Sequence, residues 1–477
     1  MNSINNTLKD GLKNTIYIVL SQGLYLALSI ITSFLLPRFL GVTEYGYWQI
    51  YLFYSSYVGF CHMGFIDGIY LRYGHNNYEE LPYDIFRSSL RVFAIILLII
   101  TGISNIFVLF ELDPDKKFAL IAVNISIIIV CLRTYFTYIL QFTNQIKRYS
   151  ITTVLNRLIF AVLVITMFIF KIDRFEYVII FDLLARFSIL MLSAYWCKDI
   201  IFGKGRGGKK GIQEVWINIK VGINLMLANI MGMLITGIGR FMVERSMSVD
   251  EFGLYSFANT ATQLVLTFIN AISLVIYPML KRMDEKEIPR FYNRINTMLC
   301  AIIFISLLLY FLIYLIVLCF LPDYSPILNY LYILFPIVIA NGKISIVINT
   351  YYKALREEKA MFKANLACVL LFMGLAVPTF YFYKSVKLLS ICTLLAMLVL
   401  CYASEIYLKN KMKLNNFSNI AEELLLVLGF LVFTNLKPLW LSFIGYSIIL
   451  CVYLLKNRHE VGYYLVKIIG LFRSKEI

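Results

Sequence analysis

Residues 38–48 read RFLGVTEYGYW, and residues 245–255 read RSMSVDEFGLY. Laid over one another at an offset of 207, Arg38 falls on Arg245, Glu44 on Glu251, Tyr45 on Phe252, Gly46 on Gly253 and Trp48 on Tyr255. A second match pairs YILQFTNQIKRY (138–149) with YYKALREEKAMF (351–362), at an offset close to 212. Two matches at nearly one spacing mark a duplicated unit. The repeated turn has a physical logic of its own. Its acidic residue is expected to cap the next helix by accepting free backbone N–H groups. Gly46 and Gly253 permit close approach where helices meet. The aromatic residues suit the membrane–water boundary.

What lies between the two turns decides the fold class. The chain has 477 residues, 60% hydrophobic and only 15% charged, with mean hydropathy +0.77. A soluble domain carries roughly 45–50% apolar and about 25% charged residues. Apolar runs long enough to cross a bilayer recur throughout, which identifies an all-α polytopic membrane protein. By length and hydropathy we expect about fourteen transmembrane helices, near 15–36, 47–70, 90–110, 118–141, 151–170, 177–197, 219–243, 252–278, 297–321, 327–350, 363–383, 388–408, 418–435 and 438–455. Glu422 and Glu423 fall early in the thirteenth, which suggests a short or tilted span. The first run, ending at Pro37-Arg38, is too long for a signal-peptide core and lacks a small-residue cleavage site. It reads as a retained span.

The duplication then becomes two pseudo-symmetric six-helix lobes. An even number of spans makes both copies enter from the same side, so the repeats are parallel. The expected organisation is an N-terminal lobe (1–200), a basic linker (201–218), a C-terminal lobe (219–412), and two extra spans with a tail (413–477). Within the tail, HEVGYYLVKIIGLF (459–472) suits an amphipathic helix lying on the inner surface.

Charge placement orients the chain. With a cytoplasmic N-terminus, 30 of the 44 Lys and Arg residues fall in inside loops and 9 in outside loops. That is the positive-inside pattern, with both termini cytoplasmic. The net charge of +16 therefore reflects topology, and no nucleic-acid partner is expected. GKGRGGKK (203–210) lies in the longest inside loop. It fits a phosphate loop up to Lys210, where Ser or Thr should hold Mg²⁺. A phosphate loop also needs a strand, a helix and a nucleotide domain around it, and this loop has about 20 residues. We read it as a flexible basic loop near anionic headgroups, and we expect no ATP binding. Nine scattered cysteines, no C-x-x-C pair and three His give no basis for a metal site or any cofactor.

A charge at mid-bilayer costs roughly 2.5–3.5 kcal/mol on insertion scales, so charged residues inside spans are the candidate site. They are Arg133, Arg157, Asp182, Arg186, Arg240 and Lys343. Arg133 and Lys343 sit in spans 4 and 10, which the repeat pairs, so they form a candidate cationic pair at equal depth. The alternative is snorkelling, since each is about 12 Å from the inner interface at 1.5 Å per residue. Asp182 and Arg186 are spaced i, i+4 and either neutralise each other or leave Asp182 as a proton- or cation-coupling carboxylate. Arg186 is the nearest to mid-span. Arg240, near the outer end of span 7, and Arg157, near the inner end of span 5, are placed to reach the surface. Asp67 and Glu405, close to span ends, are expected to be solvated.

LPRFLGVTEYGYWQIY, its echo DEFGLYSF and the basic patch after span 4 resemble polysaccharide flippases of the Wzx type, within the multidrug/oligosaccharidyl-lipid/polysaccharide (MOP) exporter superfamily. The resemblance runs over nearly the whole chain. It implies two lobes around a central cavity, with alternating access moving an undecaprenyl-pyrophosphate-linked oligosaccharide from the inner to the outer leaflet of the cytoplasmic membrane. The product would be O-antigen, capsule or other exopolysaccharide. A polymerase and glycosyltransferases of the same pathway are the implied protein partners. In that setting the basic residues would hold the pyrophosphate.

Three alternatives stay open. A drug or cation antiporter of the same superfamily would want an acidic cavity, whereas basic residues in the spans outnumber acidic ones. A flippase for the peptidoglycan lipid precursor fits fourteen spans, but span 1 has no basic residue. A lipid-sugar enzyme could use Asp-x-Asp in ELDPD (111–115), yet every outer loop is about ten residues or shorter, and ELDPD reads as a solvated turn.

Overall fold

The computed structural model describes residues 2–281, 288–355, 357–414 and 418–458. The tail segment expected to lie on the membrane surface is outside the described residues. Among those described, the chain is helical and has no strand. In order the helices are α1 (Asn2–Ser55), α2 (Phe65–Tyr73), α3 (Tyr83–Val108), α4 (Pro114–Phe142), α5 (Ile146–Phe170), α6 (Phe175–Trp196), the short α7 (Lys198–Ile201), α8 (Gly208–Ser246) and α9 (Val249–Lys281). They continue as α10 (Ile288–Ser306), α11 (Leu309–Phe320), α12 (Leu328–Leu334), α13 (Ile337–Lys343), α14 (Asn349–Ala354), α15 (Glu358–Tyr383), α16 (Val386–Lys411), α17 (Ser418–Phe433) and α18 (Leu439–Lys456).

Nine helices among the described residues are long and apolar enough to cross a membrane, or eleven if each of two bent pairs is one span. The expectation of fourteen is thus met only in part. α1 is two helical stretches joined at a kink at Gly41 (φ 73°, ψ −179°), just after Pro37, and the second expected span, 47–70, takes in the end of α1, a 3-10 turn (Val58–His62) and the start of α2. α17 covers only 16 residues. The tenth expected span is bent by 49° between Leu334 and Ile337, where Pro336 interrupts the hydrogen-bond ladder.

Burial separates lipid-facing helices from central ones. α3 turns Ile95, Leu98, Ile99, Ile103 and Ile106 outward along one stripe, each more than half exposed. In water such a stripe would be a liability; in hydrocarbon it is the normal outer surface. The most apolar stretches of α4 and α16 are 50% and 56% buried, against 22% for those of α3, α5 and α18. α4 and α16 therefore run through the middle of their bundles.

The chain divides into two compact units, Met1–Met233 with Met247–Ser256, and Leu234–Ser246 with Phe257–Ile477. The expected linker at 201–218 is not a boundary between them. In the first unit GKGRGGKK is docked onto the start of α3, which corrects its reading as a flexible loop. Arg87 donates to the carbonyls of Asp199 and Lys204, Arg91 donates to that of Gly203, and Arg206 pairs with Asp84. Gly203 (φ 120°) and Gly207 (φ 92°) supply left-handed backbone, and Gly205 and Gly211 lie against Ser88, where a Cβ would come within 2.6 Å.

The repeated turns meet inside this unit. A Cβ on Gly46 would sit 2.5 Å from the Val249 carbonyl oxygen, and one on Gly253 would sit 2.9 Å from that of Val42. Val42 and Val249 are separated by the repeat offset, as are the glycines, so the contact is reciprocal between these two segments. The acids behave differently. Ser248 and Glu251 form a capping box at the start of α9, since residues 247–248 leave its first N–H groups open. Glu44 does not cap the helix it sits in, because the chain passes Gly41 with hardly a gap. Its carboxylate accepts from Phe175 N at 2.8 Å and caps α6. Beside it, Tyr47 donates to Asp113 Oδ2 at 2.8 Å and stacks on Phe175. Asp113 in turn accepts from the N–H groups of Asp115 and Lys116 and caps α4. ELDPD is therefore an exposed turn whose Asp113 also caps α4 and is held by Tyr47.

A second close contact escaped sequence reading. Gly64, Gly68 and Arg72 face Asn218, Gly222 and Glu214 across the α2–α8 crossing. Both rows step by four residues, one helical turn. A Cβ at Gly68 would fall 2.0 Å from the Asn218 carbonyl oxygen. Gly68→Ala is expected to cost about 1–3 kcal/mol by overpacking and to lower the melting temperature of the detergent-solubilised protein. Gly102→Ala, where a Cβ meets nothing within 4 Å, should leave melting unchanged or raise it. Equal melting of both variants would refute the crossing.

Candidate functional site

In the first unit, α1, α4, α5 and α6 bring three arginines and one aspartate together. Arg186 Nε lies 2.7 Å from Asp182 Oδ2, one turn earlier on α6. Asp182 also accepts from the Tyr51 hydroxyl at 2.7 Å, and the Arg186 guanidinium lies 5.8 Å from the centre of the Tyr51 ring. Trp48 stacks on both Tyr51 and Phe160, which fixes this tyrosine from the repeated turn outward. On α5, the Arg157 guanidinium sits over the rings of Tyr25 (5.4 Å) and Phe160 (5.6 Å) and donates to Thr32 Oγ1 at 3.2 Å. Arg133 on α4 lies within electrostatic reach of Arg186, Asp182 and Tyr25. Tyr25 is thus shared by all three arginines.

The charge in this cluster does not cancel. Asp182 is used by Arg186 and Tyr51. The Nε atoms of Arg133 and Arg157 are buried without a hydrogen-bond partner. Aromatic faces supply part of the compensation, worth about 0.5–2 kcal/mol per contact. Arg157 lies eleven residues into α5, which begins at Ile146.

The second unit holds the opposite arrangement. Lys343 Nζ lies 2.6 Å from Glu405 Oε2 on α16 and 2.6 Å from Glu423 Oε2 on α17. Lys409, one turn after Glu405, reaches Glu405 Oε1 at 2.8 Å. Asn296 donates to Glu405, and the Cys300 thiol donates to Glu423. All four charged side chains are at most 1% exposed. Two cations and two anions cancel, with three partners around Glu405 and two around Glu423, the condition under which buried ion pairs persist. Immediately after Lys343 the chain is wound as a π-helix (Ile344–Ile348), a local widening that re-aims the helix.

These placements correct several expectations. Lys343 is neither an open cation nor a snorkelling one, because two glutamates enclose it. Arg133 and Lys343 belong to different units. Glu405 is fully buried instead of solvated, and Asp67 is buried with His62 3.7 Å away. Asp182 and Arg186 form the expected i, i+4 pair. Arg240, on α8, is half-buried and already partnered. Sequence reading missed Tyr25, Tyr51, Lys409 and Glu423 as members of these clusters. The i, i+4 spacing of Glu405 and Lys409 was the available signal for one of them.

Residues 11–284, more than half of the chain, match a family described as polysaccharide biosynthesis protein. No curated protein sequence matches the chain. Among solved structures, the chain is similar to the lipid II flippase MurJ in an inward closed conformation, with 14% identity and TM-score 0.62 over 94% of this chain and 99% of that one. It is similar to an inward-facing multidrug resistance MATE transporter of the MOP superfamily, with 14% identity and TM-score 0.60 over 83% and 96%. An outward-facing MATE transporter gives 11% identity and TM-score 0.53 over 84% and 96%. At these identities the likeness concerns the fold.

The second-unit network yields a stability test. Lys343→Met strands Glu423 in an apolar interior and is expected to cost about 3–5 kcal/mol. Adding Glu423→Gln removes the stranded charge and should recover much of the loss. The check is thermal unfolding of the two variants in detergent. A double variant no more stable than Lys343→Met would contradict the pairing.

Proposed function

Since the chain belongs to the polysaccharide biosynthesis protein family and has the fold of MOP-superfamily flippases and transporters, we propose that it flips an undecaprenyl-pyrophosphate-linked oligosaccharide across the cytoplasmic membrane. The movement is by alternating access, from the inner to the outer leaflet, and it supplies surface polysaccharide synthesis such as O-antigen or capsule. On this reading the protein is a transporter without enzymatic chemistry or a cofactor. ATP plays no part, and the glycosyltransferases and polymerase of the pathway are its functional neighbours. Both termini are cytoplasmic.

One observation carries the reading: in a chain of this family, three guanidinium groups gather in one helix cluster whose single carboxylate, Asp182, is already taken by Arg186 and Tyr51. An anion brought to Arg133 and Arg157 would complete the charge balance. Guanidinium is suited to a pyrophosphate because its forked donors pair with two oxygens at once. Tyr25, half-buried, offers a ring face and hydroxyl beside the same groups. Asp182 is held by Arg186 and Tyr51, so we assign it to orienting Arg186 and not to ion coupling.

The peptidoglycan precursor flippase is the second reading. It is favoured by the likeness to MurJ, which extends over 94% of this chain where the MATE structures cover 83–84%. Its cargo also carries a lipid pyrophosphate, so the arginine cluster serves both. The drug or cation antiporter is disfavoured by that cationic excess.

Arg133→Ala with Arg157→Ala should lower surface glycan to a tenth or less in cells dependent on this protein, at unchanged protein level. Arg157→Lys keeps the charge, loses the fork and should fall between. Wild-type glycan output from the double alanine variant would sink the proposal. Rescue of peptidoglycan synthesis without glycan export would select the second reading.

A further inference from the structure

A cleft of about 780 Å³ opens in the first unit, away from the arginine cluster. It lies among the α4–α5 turn, the end of α6 and the segment before α3. Its lining divides into three chemistries. Lys147, Arg148 and Lys198 supply cations. Tyr83, Tyr195 and Trp196 supply aromatic faces, with the Arg148 guanidinium 5.8 Å from the Trp196 ring centre and Gln145 Oε1 accepting from Arg148 at 2.5 Å. Asn77, Asn144, Glu79 and Asp199 supply amides and carboxylates.

Two further features make this a formed site rather than a gap between loops. Asn144 is held in the left-handed region (φ 59°), which fixes the α4–α5 turn. Tyr78 lines the cleft, is 8% exposed, and has its hydroxyl buried without a hydrogen-bond partner. A buried hydroxyl left unpaired costs about 1–3 kcal/mol.

We propose that this cleft binds a phosphorylated sugar and, resting on the transport reading above, that it receives the lipid-linked cargo before translocation. The mixture decides the ligand class. A site for bare phosphate would not carry Glu79 and Asp199, which repel it. A site for a neutral sugar would not need three cations. Carboxylates and amides accept and donate to sugar hydroxyls, aromatic faces cover the ring's apolar side, and the cations take the phosphate.

The test uses Trp196 as its reporter. In full-length protein carrying Trp48→Phe, Trp216→Phe and Trp440→Phe, held in nanodiscs, Trp196 fluorescence is titrated with a short-chain polyprenyl-diphosphate N-acetylglucosamine and, separately, with soluble N-acetylglucosamine 1-phosphate. A saturable change is expected, weakened tenfold or more by Lys147→Ala with Lys198→Ala. Response to the lipid-linked probe alone supports the site and assigns its ligand to the membrane. Equal response to the soluble probe supports phosphorylated-sugar recognition and overturns the loading role. No saturable change, or one that survives the double alanine substitution, overturns the site. Glycan export measured with all four tryptophans in place separates the two readings: export from a protein whose tryptophan-substituted form gives no cleft signal removes the cleft and keeps the transporter, whereas a cleft signal without export does the reverse.

Discussion

A charge placed in hydrocarbon must find a partner, and this requirement organises both units. The second unit meets it internally. Lys343 and Lys409 are matched by Glu405 and Glu423, with Asn296 and Cys300 taking remaining acceptor positions. The first unit meets it incompletely. Asp182 serves Arg186, Arg157 relies on two aromatic faces and Thr32, and the Arg133 Nε is buried without a hydrogen-bond partner. A bilayer protein that keeps uncompensated guanidinium groups loses stability for a reason outside its own packing. That asymmetry is why the first unit, not the second, is assigned the phosphate-binding role.

The geometry that holds the arginines can be traced to one turn. Gly41 breaks α1, and the residues just after it reach four other elements. Glu44 caps α6, Tyr47 holds the cap of α4, Gly46 admits the backbone of Val249, and Trp48 braces Tyr51 against Phe160 of α5. Tyr51 then fixes Asp182, and Asp182 fixes Arg186. Each contact involves a residue whose type is demanded locally: an acid for open N–H groups, a glycine where a Cβ has no room, an aromatic ring with a hydroxyl at a polar edge. The order of the cluster is therefore set several residues away from its charges.

Much of this fold was legible because membrane helices announce themselves by length and hydropathy, and because the repeated turn keeps its acid and glycine. The helix class, the close approach at Gly46 and Gly253 and the Asp182–Arg186 pair all follow from local spacing. What was not legible depends on tertiary neighbours. Nothing near Glu405 in the chain announces that Lys343, some sixty residues earlier, will bury it. Span ends look solvated when read one helix at a time, which is why Asp67 and Glu405 were misplaced. The docking of GKGRGGKK on α3 was hidden for the opposite reason: its glycines permit both flexibility and tight contact, and only Ser88 and Arg87 decide between them.

Arg133 and Lys343 fall in stretches that the sequence aligns, and a buried cation faces the same cost in either place. In the second unit Lys343 is met by Glu405 from α16 and Glu423 from α17, two carboxylates brought by different helices. In the first unit no carboxylate lies within ion-pair distance of Arg133 among the described residues, and Asp182, the acid of its cluster, is held by Arg186 and Tyr51. The same kind of residue is therefore a structural strut where neighbouring helices carry acids, and keeps a demand for negative charge where they do not.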